Sequence, residues 1–312
     1  MNSSSISITF TIYDAFGLFR LVLLVCLLLL YVSCLCMNLL LVLVICAHSR
    51  LHRPMYVLLV NLALSGVMGS SSVCPQTIRQ LTTGSRDMSL EGCLTQAFFT
   101  NVYSGCVFCI LALMAYDRYV SICQPLLYHS IMRPAKVRLM LALVYLALGA
   151  FSAVQVNLAS TLTLCRHSVD KLLCNSLVIA NLSCTETTLI NVYSLCCAVC
   201  AIAVPCFLVI LSYVHILTVV LKASGDRRRK AVRTCTPHLV TFIHFSVTSF
   251  FGVIYNSLSH QVPKAVNVFT YVSFFVIPPL LHPIIYGIKM REIRQSMKKM
   301  LKHYFDIIKA GE

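Results

Sequence analysis

Seven times along this chain, 24 residues or more pass without an Asp, Glu, Lys or Arg: 21–49, 54–78, 92–116, 139–165, 187–221, 234–263 and 265–288. A helix needs about 20 apolar residues to cross a bilayer core, so each stretch suffices for one crossing. Lipid offers no partner for backbone amides, so a crossing must be helical or belong to a closed barrel. A barrel would show alternating segments of about ten residues, and the stretches do not alternate. Only 11% of the residues are charged and 58% are hydrophobic, whereas a soluble domain carries about 25% charge. The sequence predicts an all-α membrane protein, a seven-transmembrane-helix bundle. The first stretch is too long for a secretory signal and lacks a small-residue cleavage site, so it is read as the first helix.

Orientation follows from the basic residues. With the N-terminus outside, Arg20, Arg79, Arg86, Arg166, Lys171 and Lys264 face outward, and the other 19 of the 25 Lys and Arg face inward. The positive-inside bias therefore puts the N-terminus outside and the C-terminus inside. The net charge of +15 is then mostly cytoplasmic. It points to anionic membrane lipid as a partner, not to nucleic acid. Two glycosylation sequons, at Asn2 and Asn181, fall on the predicted outer side.

The chain reads as one domain over 1–312, with an extracellular tail at 1–20, a long second outer loop at about 161–186 and a cytoplasmic tail at 288–312. In that tail Ile288, Ile293, Met297, Met300 and Leu301 share a face among basic residues. This predicts a short amphipathic eighth helix on the inner membrane surface. Most of the 17 cysteines, such as Cys26, Cys106, Cys109, Cys196, Cys197 and Cys200, lie inside the stretches and read as packed free thiols. Cys93, Cys165, Cys174 and Cys184 map outside, where oxidation favours two disulfides, and the sequence allows three pairings. No ligand spacing suggests a metal site, and nothing calls for a cofactor.

Motifs then narrow the class. "MAYDRYVSIC" at 114–123, "LHRPMY" at 51–56, "SYVHIL" at 212–217, "RKAVRTCTPHL" at 229–239 and "PPLLHPIIYG" at 278–287 occur in this order. Together they resemble the pattern of olfactory receptors, a branch of the rhodopsin-like (class A) G-protein-coupled receptors. The resemblance runs from the first helix to the last. It implies disulfides Cys93–Cys174 and Cys165–Cys184. It also implies a switch of Asp117, Arg118, Tyr119, Tyr213, His282, Pro283 and Tyr286. At rest the arginine pairs with Asp117, and when helix six swings outward Arg118 is freed for a heterotrimeric G-protein of the stimulatory, olfactory type. The bottom-up reading agrees: a paired charge at a helix end is tolerated, and two arrangements of similar energy form an element a ligand can bias.

The resemblance implies ligand contacts in the outer half at Thr100, Asn101, Ser104, Gly105, Cys197, Ala201, Ser249, Phe250 and Val253. That lining is mostly apolar with a few hydroxyls and one amide, which suits a small organic odorant. Thr100 stands where amine receptors carry an aspartate, so a non-amine ligand is implied. The implied location is the plasma membrane, in the cilia of olfactory sensory neurons.

Three positions depart from the pattern. Gly66 replaces the aspartate of helix two, Val107 a glutamate of helix three, and His282 the asparagine of the Asn-Pro-x-x-Tyr motif. Without a core carboxylate, the family's internal sodium site is expected to be missing. His282 is expected to be a neutral core histidine bonded to Asn61 or Ser65. Other classes fare worse. A transporter would need intramembrane charges or broken helices. An enzyme would need clustered acids or a His-Glu-x-x-His helix. A light receptor would need a lysine in 265–288, which is absent. The remaining alternative is a rhodopsin-like receptor for a non-odorant small molecule.

Overall fold

The computed structural model describes residues 7–17, 19–258 and 264–311, the side chains of 14–16, 253–258, 264–265, 301 and 303–311 excepted. Its long helices follow the charge-free stretches: α1 (Phe19–Ala47), α2 (Pro54–Thr83), α3 (Leu90–Cys123), α4 (Pro134–Ser160), α5 (Thr188–Leu221), α6 (Gly225–Leu258) and α7 (Val266–Lys289), then α8 (Arg291–Gly311). Six of these are long and apolar enough to cross a membrane on their own composition. The seventh crossing, α6, begins with basic turns and becomes charge-free only at 234, so its helix outruns its apolar part. The chain is a seven-helix bundle.

Local chemistry sets the boundaries. Pro54 and Pro134 open α2 and α4, where their missing N–H costs no helical bond. Ser89 caps α3, its hydroxyl accepting from the Gly92 N–H at 3.1 Å. Gly84, at φ 74°, closes α2 in the left-handed conformation that glycine adopts without strain. The last carbonyls of α2 are met by Arg20, which donates to Leu81 O at 2.5 Å and Thr82 O at 3.0 Å.

The core runs along α3, which packs against α2, α4, α5 and α6. Its most apolar window is 67% buried, against 17% in α4 and in α5. The outward faces instead carry exposed Leu21, Leu146, Leu195 and Phe207, an apolar surface of the kind lipid covers. Small residues permit the closest approaches. Gly69 lies so close to the Tyr103 ring that a Cβ would come within 2.5 Å of it. One irregular turn matters here. A wide turn at Val272–Val276 interrupts α7, and the Tyr103 hydroxyl donates to the Phe274 carbonyl within it at 3.1 Å.

Four features go beyond or against the sequence reading. First, the segment expected as an extracellular tail carries a strand. Ser7–Phe10 forms β1, antiparallel to β2 (Asp87–Ser89) and parallel to β3 (Ser168–Val169). Ile8, Phe10 and Ile12 are fully buried by this sheet and the helices beneath, a tertiary gain that four short-range residues do not announce. Second, Cys26, Cys196 and Cys200 face outward from the bundle, because in lipid an outward position is as apolar as an inward one. Third, Ile288 is exposed, while Ile293, Met297 and Met300 pack inward from α8. Fourth, Asn61 and Ser65 do not serve His282. Asn61 donates to Val57 O at 2.8 Å and Ser65 meets the Tyr145 hydroxyl at 3.4 Å.

Candidate functional site

Both disulfides pair as the resemblance implies: Cys93–Cys174 ties the second outer loop to α3, and Cys165–Cys184 closes that loop on itself. Gln96, one turn along α3 from Cys93, reinforces the first tie. Its carbonyl oxygen accepts from the Cys174 N–H at 2.8 Å and its amide donates to Ser72 O at 3.2 Å. The loop contains a short helix, Ser176–Leu182, capped by Asn175, whose oxygen accepts from the Val178 N–H at 2.9 Å. Asn181 is exposed on that helix, and Asn2 lies outside the described residues.

At the opposite end of α3, Asp117 is fully buried and divided between two partners. Oδ2 faces Arg118 Nη2 at 3.0 Å, and Oδ1 accepts from the Tyr128 hydroxyl at 2.8 Å. Tyr128 sits in the short helix Tyr128–Ile131 that follows α3. Burial first, and the Asp117 charge second, push its phenol well above the ordinary tyrosine range, so it remains a donor at physiological pH. The side chain of Arg118 is only 13% exposed, and its Nε has no hydrogen-bond partner among the described residues. Arginine offers five donors in a fixed fork. This one is held at a corner with capacity to spare.

Among the described residues the Tyr213 hydroxyl bonds to His238, not to Arg118. It meets His238 Nδ1 at 2.8 Å with the two rings stacked, and His238 Nε2 meets Leu111 O at 2.8 Å. A carbonyl can only accept. Nε2 therefore carries the hydrogen, and in the neutral ring Nδ1 accepts from Tyr213. One buried imidazole thus links α3, α5 and α6 near their cytoplasmic ends. His238 belongs to the 229–239 motif block, which marks the position without assigning it a role. Tyr119 packs by Ile216 and Val220 of α5, and its hydroxyl accepts from Gln124 at 3.2 Å.

Deeper in the bundle, His282 is 2% exposed with no partner for either ring nitrogen among the described residues, and the Tyr286 hydroxyl, near Thr241, is likewise unbonded. Pro283 lies inside α7 one position after His282. Asn38 of α1 spans to α7 instead, donating to Pro279 O at 2.8 Å. Gly66 sits against Pro279, where an added Cβ would lie 3.0 Å from the proline Cβ. A side chain at this position would press on Pro279, which would have to give by a few tenths of an ångström.

In the outer half the implied contacts separate. Asn101 donates to Gln155 Oε1 at 2.9 Å, and Gln155 Nε2 donates to Ser194 Oγ at 2.7 Å, a chain across α3, α4 and α5. Cys197 lies one turn beyond, beside Tyr193, and Ala201 packs on the core from a wide turn of α5, Val199–Ala203. Thr100 and Ser249 are buried with their hydroxyls donated to their own helices, to Gln96 O at 2.8 Å and Phe245 O at 2.6 Å. Ser104 is half-buried. Gly105 faces the Leu148 side chain of α4, so it serves helix packing. Phe250 is 49% exposed on the outer surface of α6 and points away from the other positions. The side chain of Val253 lies outside the described residues. Sequence reasoning missed Gln155 and Ser194, and also the aromatic floor of Tyr103, Phe108, Phe245, Phe274 and Phe275.

Comparison with known proteins agrees with this arrangement. The sequence profile of the family described as "Olfactory receptor" matches residues 26–304. The chain is similar to olfactory receptor 4K2 of Homo sapiens, 32% identical over 285 residues, 90% of this chain and 89% of that protein. It is 32% identical to human olfactory receptor 10J4 over 93% of this chain and 94% of the other. It is 31% identical to olfactory receptor-like protein OLF3 of Canis lupus familiaris over 85% and 83%. These relatives are receptors, not enzymes. The profile covers most of the seven-helix bundle just described, and the chain belongs to the olfactory receptor family.

Proposed function

We propose that this protein is an odorant receptor. It takes a small, mostly apolar, non-amine organic ligand in the outer half of the bundle, between α3, α5, α6 and α7. It signals to a stimulatory, olfactory-type heterotrimeric G-protein by an outward swing of α6. The observation that carries this reading is the buried Tyr213–His238–Leu111 chain. It clamps α6 to α3 and α5 at the end where a G-protein would dock, and the swing must break it. The ion pair of Arg118 with Asp117 holds the second half of the resting arrangement. Two such arrangements close in energy are what a ligand with differential affinity can shift.

The outer half supports a ligand that is not an amine. Below Glu91 in its first turn, α3 has no acid until Asp117, and Thr100 spends its hydroxyl on its own backbone. Asn101, Gln155 and Ser194 supply the polar groups that would orient a ligand oxygen. The packed Gly66–Pro279 contact supports an olfactory receptor that works without the internal sodium ion. We assign the protein to the plasma membrane of olfactory cilia on the same reading.

The deciding experiment expresses the full chain at the cell surface with the olfactory-type stimulatory G-protein, presents an odorant panel and reads cyclic AMP. A ligand-dependent rise is expected. Silence across a broad panel, from protein verified at the surface, argues for a non-odorant ligand.

A further inference from the structure

The cytoplasmic start of α6 carries a feature that the switch does not use. Gly225, Arg228, Arg229, Val232 and Arg233 line an open cleft of 590 Å³. They recur at intervals of three and four, so they form one stripe on the helix. Ala231 and Cys235 form another stripe, packed on Ile216 and Val220 of α5. At 3.6 residues per turn Arg229 and Arg233 are rotated roughly 140° and 180° from the packed stripe, and Arg228 about 40°. Arg229 and Arg233 therefore face the membrane periphery, and Arg228 flanks them on the edge towards α5.

Followed into the membrane, the same stripe changes character. Thr236 comes next, then Val240, Ile243 and Val247, which are 47%, 56% and 61% exposed. Cations at the headgroup level followed by bare aliphatic surface at acyl-chain depth match the profile of a phospholipid. None of the three arginines has an ion pair among the described residues, and the one acid in the first turn is Asp226. Three guanidinium forks within two turns suit an anion with several phosphate oxygens. The N-terminal end of the helix dipole adds to that preference.

We propose that this stripe is a binding site for a single inner-leaflet phosphoinositide. The inositol phosphates would sit on Arg228, Arg229 and Arg233, and an acyl chain would lie along Val240, Ile243 and Val247. Phosphatidylserine offers one phosphodiester and a carboxylate beside an ammonium, so it leaves most of the donors unused. The site does not depend on the odorant reading, since it requires only the bundle and its orientation.

The test places the full-length receptor in phosphatidylcholine nanodiscs and measures energy transfer to a fluorescent phosphatidylinositol bisphosphate. The wild-type chain is expected to hold the lipid, and unlabelled phosphatidylserine at matched charge is expected to compete poorly. R228Q/R229Q/R233Q should weaken the association roughly a hundred-fold. These side chains are exposed, so the bundle keeps its packing. K298Q/K299Q/K302Q removes the same charge from exposed positions of α8 and should leave the association nearly intact. Equal loss in both triple variants, or full displacement by phosphatidylserine, would overturn a defined site in favour of diffuse attraction. Absence of transfer with the wild-type chain would overturn it outright.

Discussion

Tyr128 donates its phenolic hydrogen to Asp117 Oδ1 at 2.8 Å, so the acid that holds Arg118 is itself held from outside its helix. A fully buried carboxylate is costly unless paired and hydrogen-bonded; here Oδ1 is hydrogen-bonded, and Oδ2 has the Arg118 charge beside it but no hydrogen bond. Asp117→Asn keeps the shape and removes the charge, leaving Arg118 with a neutral neighbour. Basal cyclic AMP should rise, and an unchanged baseline at equal surface expression would refute the restraint. Tyr128→Phe removes one bond and keeps the ion pair. It should give a smaller rise, on the order of the 1.5–3 kcal/mol that a hydrogen bond to a charged group contributes.

His238 is the second restraint, and its two bonds predict an asymmetric outcome. His238→Leu leaves the Tyr213 hydroxyl without its His238 partner in a dry interface, while the Leu111 carbonyl keeps its own helical bond. The unpaired hydroxyl costs about 1–3 kcal/mol, which weakens the inward position of α6. Constitutive signalling should therefore increase, about ten-fold in the ratio of outward to inward states for each 1.4 kcal/mol. Tyr213→Phe severs only the α5 side. Since Tyr213 is also proposed to rearrange on activation, this variant should lower the maximal odorant response. Dose–response curves for the two variants separate the roles.

Much of this bundle is legible in the sequence, because charge in lipid is expensive enough to mark each crossing by its absence. The motif blocks placed Asp117 and Arg118 at an inner helix end, and the side chains meet there. Helix direction was harder. Phe250 and Ser249 are neighbours in sequence, yet one faces out and the other in, and an all-apolar stretch has no amphipathic contrast to say which. Gly105 looked like pocket lining because small residues serve cavities and helix contacts alike. The partners of His238, Gln155 and Glu292 come from other elements, at separations of 25 to 239 residues. Such pairings are properties of packing and leave no local trace.

Glu292 illustrates this. Its Oε2 accepts from the Tyr56 hydroxyl at 2.6 Å and its Oε1 lies 3.4 Å from Arg53, joining the first turn of α8 to the first turn of α2. The Arg53 pair is largely exposed and worth little. The half-buried phenol–carboxylate bond is the stronger element. Tyr56→Phe should accelerate amide hydrogen exchange in residues 291–297, whereas Arg53→Gln should leave it close to the wild-type rate. Equal exchange in both variants would assign the docking of α8 to Ile293 alone.

Two glycines offer a matched test of packing. At Gly69 a Cβ would lie 2.5 Å from ring carbons of Tyr103, and that ring is fixed by Phe245, Phe274 and its own bond to Phe274 O. It cannot yield cheaply. Gly69→Ala should destabilise the bundle by about 1–3 kcal/mol, the usual cost of overpacking. At Gly149 of α4 nothing lies within 4 Å of the same added atom. Gly149→Ala then gains only helix propensity and should stabilise by about 0.5–1 kcal/mol. Thermal unfolding of the two purified variants in detergent should move in opposite directions. A parallel shift would mean that the α2–α3 contact is looser than the Tyr103 geometry requires.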